Sequence, residues 1–145
     1  MKKIELKFWL SCMMMALCIG FTACDDDDEG IDGDASTLIL GTWEAYWEKG
    51  YETSDGEKDT WDKSPEETES YTFKKDGSGI TTYGDESMNF TWNISNNKLR
   101  ITLQNKHNEV FEFVIKTLNS ATLVLTDYEK DEYGEVYNEI TLKKK

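Results

Sequence analysis

MNFTWNISNNKLRITLQ, residues 88–104, is the stretch on which the fold turns. Met88, Phe90, Trp92 and Ile94 alternate with Asn89, Thr91 and Asn93. An extended chain therefore presents its apolar side chains to one face and its polar ones to the other. Ser95-Asn96-Asn97-Lys98 has turn chemistry, and the alternation then resumes with Leu99, Ile101 and Leu103 against Arg100, Thr102 and Gln104. Two half-buried strands joined by so short a turn make an antiparallel hairpin.

The same period of two extends in both directions. It marks further strands at 41–49, 71–75, 79–83, 110–118, 122–128 and 136–143, joined by the turn-forming segments KDGS at 75–78, HN at 107–108, NS at 119–120 and DEYG at 131–134. Together these predict an all-β domain of about eight strands, with no amphipathic helix of useful length and no internal repeat. A meander of that size closes into an eight-stranded antiparallel up-and-down barrel, or, alternatively, splits into the two packed sheets of a β-sandwich. One connection does not fit the hairpin pattern. Residues 50–69, GYETSDGEKDTWDKSPEETE, read as a long acidic loop, and loops of that length are functional lids or disordered.

The amino-terminal part has a different character. Lys2, Lys3 and Lys7 precede an uncharged apolar run at 8–23, which is the layout of an export signal. Spanning a bilayer takes ~20 apolar residues, and this run is shorter and ends against Asp25-Asp26-Asp27-Asp28-Glu29. Ordinary signal-peptidase cleavage needs small residues at the last and third-last positions, where Ala23 qualifies and Phe21 does not. Cys12 and Cys18 would leave with the signal, so Cys24 would be the one mature cysteine and no intramolecular disulfide could form. The expected divisions are a signal peptide at 1–23, a lipidated acidic linker at 24–36 that is extended and solvated, and a barrel domain at 37–145.

Without the signal, 13 basic residues face 28 acidic ones, a net charge of about −15. Such a field disfavours nucleic acid and anionic headgroups, and suits a body held off a membrane or a cationic or neutral partner. The acids at 25–36 do not form an EF-hand, since Glu29 and Ser36 stand where Asp or Asn and the closing Glu belong.

Two resemblances add to this reading. Phe21-Thr22-Ala23-Cys24 resembles the lipobox of bacterial lipoproteins, with Phe21 where Leu is commonest. The resemblance implies acylation of Cys24 by fatty acyl chains such as palmitate, and more than one chain gives a stable anchor. A Cys followed at once by several acids looks like the surface-export signal of Bacteroidetes lipoproteins. That implies an outer-membrane protein at the cell surface, with a periplasm-facing orientation as the alternative.

The second resemblance lies in the domain. Leu38-Ile39-Leu40-Gly41-Thr42-Trp43-Glu44 resembles the opening of lipocalins, whose Gly-x-Trp motif is here Gly41 and Trp43. Thr126-Asp127-Tyr128 matches a short motif that lipocalins carry between two later strands, and Tyr-Thr-Phe-x-x-Asp-Gly-x-Gly at 71–79 looks like the lipocalin-like domains of Bacteroidetes lipoproteins. The resemblance implies an eight-stranded barrel in which Trp43 plugs the closed end and the first loop, 50–69, covers the mouth. Three features depart from it. Thr126-Asp127-Tyr128 falls one strand late, no carboxy-terminal helix follows, and the lone arginine, Arg100, has no place over Trp43, a role left to Lys143, Lys144 or Lys145.

Catalytic chemistry is poorly supplied. His107, the sole histidine, sits in a turn, Cys and His metal spacings are absent, and acidic pairs are too abundant to single out. The expectation is a non-enzymatic protein without metal or cofactor. Inward aromatics offer more. A barrel of this size is either filled by side chains or holds one small ligand. For a small apolar ligand the wall candidates are Trp47, Tyr71, Phe90, Trp92 and Phe113, with Trp61 of the acidic loop either folded over the mouth or exposed. The alternative is an interaction module whose acidic loops bind an envelope protein or a glycan, with Trp61 as the exposed contact.

Overall fold

The computed structural model describes residues 30, 31 and 33–145. The expected signal peptide, the lipidation site at Cys24 and the acids at 25–29 lie outside the described residues. The chain runs through α1 (Ala35–Leu38), β1 (Gly41–Ser54), β2 (Glu57–Lys63), β3 (Glu69–Phe73), β4 (Ser78–Tyr83) and β5 (Glu86–Ser95). It continues through β6 (Lys98–Leu103), β7 (Val110–Leu118), β8 (Thr122–Lys130) and β9 (Gly134–Lys144). All strand pairs are antiparallel, and β1 pairs with both β3 and β9, which closes eight strands into a barrel. The β-sandwich alternative is thereby excluded, and the hairpin from Met88 to Gln104 is β5 and β6 in the expected register, with Ile94 opposite Leu99.

The ninth strand, β2, corrects the expected loop at 50–69. β1 runs on to Ser54, turns at Asp55 and Gly56, and returns as β2. Both turn residues have positive φ, 51° and 82°, the backbone of a type I′ turn, which Asp-Gly adopts readily and whose twist matches the flanking strands. The upper half of β1, Glu48 to Ser54, pairs with β2, whereas its lower part, Gly41 to Glu44, pairs with β3.

The closed end is apolar. Trp43, Leu99, Leu118, Leu123 and Leu142 are fully buried there, and Phe73 meets Phe90 and Trp92 edge-on, with ring centroids 5.4 and 5.5 Å apart. The Trp43 indole N–H donates to the Ile39 carbonyl at 2.7 Å, so its one polar atom is satisfied. Lys144 takes the place over the indole expected of one of the terminal lysines. Its ammonium lies 5.1 Å from the ring centroid and donates to the Leu38 carbonyl at 3.3 Å.

Packing begins before residue 37, the expected start of the domain. Ile31 bridges to Leu118 and packs against the core, and the Leu118 amide donates to the Gly30 carbonyl at 3.0 Å. Asp34 caps α1 through the Ser36 amide. The last part of the expected solvated linker therefore belongs to the closed end. Thr126-Asp127-Tyr128 sits within β8 rather than between strands.

Candidate functional site

Above the plug the barrel is hollow. A cavity of about 690 Å³ opens at the end formed by the β1–β2 hairpin and the connections β4–β5, β6–β7 and β8–β9. Its volume falls within the range of ordinary small-molecule pockets, about 300–1,000 Å³.

The strand pairing builds its wall in rows. On one side Glu86, Tyr83 and Glu69 lie opposite one another across β5, β4 and β3, and two residues deeper come Met88, Thr81 and Tyr71. On the other side Asp127 pairs with Asn138, Asn138 with Gly50 and Gly50 with Trp61. Two residues deeper come Leu125, Ile140 and Glu48. Ile101, Leu103, Phe111 and Phe113 from β6 and β7 complete the wall. The deeper row on each side is mainly apolar, and the rim is acidic.

The carboxylates in and around the wall differ in environment. Burial pushes the Glu69 carboxyl above its ordinary pKa; the Tyr71 hydroxyl, which donates to it, opposes the rise, and neighbouring Glu48 adds to it. Glu48 is also pushed up, by burial first, with Lys63 opposing and Glu66 adding. Lys63 itself is held by Glu66 at 2.7 Å. Glu139 goes the other way. Burial alone would raise it, but hydrogen bonds from Lys116, Tyr137 and Lys49 outweigh that and hold it below the usual carboxylate range. The Lys116 and Lys49 ammonium groups stand 2.9 and 3.2 Å from it.

Three of the expected wall residues line this cavity: Tyr71, Phe113 and Trp61. Trp61 lies in β2 opposite Gly50 and faces the mouth. Phe90 and Trp92 do not line it. They point inward but belong to the packed closed end, where the Trp92 indole N–H donates to the Ser78 carbonyl at 3.0 Å. Trp47 is on the outer surface, 39% exposed, with its indole N–H bonded to Asp62 at 2.5 Å. Its expected inward position fails because a bulge between Ala45 and Trp47 shifts the alternation by one, turning Glu48 inward instead.

Glu48, Glu69, Asp127 and Asn138 are among the wall residues that strand reading by hydrophobicity missed. A signal was present: Asp127 continues the phase of Leu123 and Leu125, and Glu69 that of Phe73 and Tyr71. Among the described residues no group of three His, Cys, Asp or Glu side chains is placed to hold a metal ion.

The profile of the lipocalin-like domain matches residues 39–125, more than half of the chain, from Ile39 beneath Trp43 to Leu125 in the cavity wall. The chain belongs to the lipocalin-like domain family. Comparison with curated proteins found no match. The lipocalin-like barrel is in general a binding fold rather than a catalytic one, which agrees with a plugged closed end and a hollow open one.

Proposed function

We propose that this lipocalin-like protein is a membrane-tethered binding protein that holds one small, largely apolar molecule in the barrel mouth. The observation that carries this reading is the cavity of about 690 Å³, whose deeper wall of Met88, Ile101, Phe113, Leu125 and Ile140 is apolar while polar groups gather at its rim. An apolar cavity open to water at one end gains free energy when a guest displaces that water, at ~25 cal/mol per Å² of apolar surface covered.

The tether is the lipidated Cys24, and the acids behind it support export to the outer face of the outer membrane. A docking role for the acidic segment as a free loop finds less support. Trp61, the exposed contact that role required, faces the cavity, and the segment is a paired hairpin. Native mass spectrometry of the purified full chain, incubated with a lipid and metabolite extract, tests the proposal. A discrete adduct that survives desalting is the expected result. A folded protein that emerges free of any adduct would turn attention back to a partner protein or glycan.

A further inference from the structure

Six acidic residues line the cavity, Glu48, Glu66, Glu69, Glu86, Asp127 and Glu139, the last with its side chain turned to the outer face, against one basic residue, Lys63. Lys63 is ion-paired with Glu66, with its charge also reaching Glu48, and Glu139 is bound on the outer face by Lys49 and Lys116. Glu48 and Glu69 are different. Both occupy inward-facing strand positions and both are half-buried, so their charge is directed at whatever enters. Glu48 is close enough to Glu69 to add to the proton affinity of its carboxyl, as a like charge beside a partly dry site does. Tyr71 and Trp61 stand in the same wall and offer π-faces.

A carboxylate drawn partly out of water is stabilised by an opposite charge brought beside it, and an ammonium group over an aromatic face is attracted by the ring quadrupole. An anionic head at the same place would meet two carboxylates across a medium that screens poorly. Taking the cavity as the binding site, which is the reading proposed above, we infer that it selects amphipathic cations. The guest has an apolar body that fills the deeper wall and a protonated amine or quaternary ammonium seated beside Glu48 and Glu69. These two carboxylates thus discriminate among molecules that the apolar wall alone would accept equally.

The test compares three molecules with the same hydrocarbon body, dodecylamine, dodecanol and dodecanoate, by isothermal titration into the purified full chain at neutral pH. Dodecylamine is expected to bind about tenfold more tightly than dodecanol, equivalent to ~1.4 kcal/mol, and dodecanoate more weakly than either. In the Glu48→Gln/Glu69→Gln double variant the amine's advantage should shrink to within about threefold. The comparison on the unaltered chain decides the matter even if the variant folds poorly. Dodecanol binding as tightly as the amine, or dodecanoate binding best, overturns the charge preference and leaves the cavity reading standing. Failure of all three to bind overturns both.

Discussion

The Trp61 indole packs directly on the Cα of Gly50, its partner across the β1–β2 ladder. A methyl carbon at Gly50 would stand 2.7 Å from Trp61 Cζ2 and 2.1 Å from the carbonyl oxygen of Tyr137. A missing side chain on β1 is what lets an aromatic from the hairpin lie against the mouth.

Gly50→Ala should therefore destabilise the barrel by about 1–3 kcal/mol, read as a lower urea midpoint with an unchanged slope. Adding Trp61→Ala should not restore it, because the nearer clash is with the Tyr137 backbone on β9, which cannot rotate away. Full rescue by the second substitution would show that the indole, not the sheet, sets the limit.

At the closed end, Trp43→Phe keeps most of the ring but removes the N–H that bonds the Ile39 carbonyl. The expected cost is about 1–3 kcal/mol, the penalty for a buried acceptor left without its donor. Trp43→Ala should cost more, about 3–5 kcal/mol, since it also opens a void beneath the cavity. Thermal or urea unfolding of the three proteins checks the order.

Glu69 gives a pH prediction with a definite sign. Its folded pKa is raised by burial, so the folded chain holds the proton more tightly than the unfolded chain. Stability from this group is fully present below the ordinary carboxylate pKa and is lost as pH rises through the raised value. Glu69→Gln should accordingly flatten the decline of stability on the alkaline side of the ordinary carboxylate range and leave the variant the more stable protein at neutral pH. Urea midpoints measured across mildly acidic pH provide the comparison, and a variant less stable than the parent at neutral pH would contradict it.

Glu139 predicts the opposite slope. Its folded pKa is lowered by Lys116, Tyr137 and Lys49 against the pull of burial, so its contribution is present above the ordinary carboxylate pKa and is lost as pH falls through the lowered value. Lys116→Met removes the closer of the two ammonium partners. It should cost about 1–3 kcal/mol at neutral pH and reduce the loss of stability on acidification, as urea midpoints at neutral and acidic pH would report.

Much of this architecture was legible because most strands alternate cleanly and their turns use Asn, Asp and Gly. Phe90 and Trp92 were placed on the correct face by period alone. What period could not supply was depth, and depth put both side chains in the plug instead of the cavity. Trp47 was misplaced because an extra residue in one strand leaves no mark on hydrophobicity and reverses every later position. The β1–β2 hairpin was hidden by its acids, although Asp55-Gly56 was a turn signal. The acidic rim was hidden for a related reason. In a chain this rich in Asp and Glu, a carboxylate stands out only once the phase of its strand is known, as with Asp127 after Leu123 and Leu125.

Strand β1 carries β9 along one edge and divides its other edge between β3 and β2. Among the described residues β2 bonds to β1 and to no other strand, so it adds a flap to a ring that is already complete without it. Lifting that flap breaks one ladder and leaves the eight-membered ring intact. In amide hydrogen exchange, residues 57–63 should trade their protons through local openings, while the β1–β9 seam exchanges only when the whole barrel comes apart. The mouth can then admit a guest bulkier than its resting aperture while the barrel stays closed.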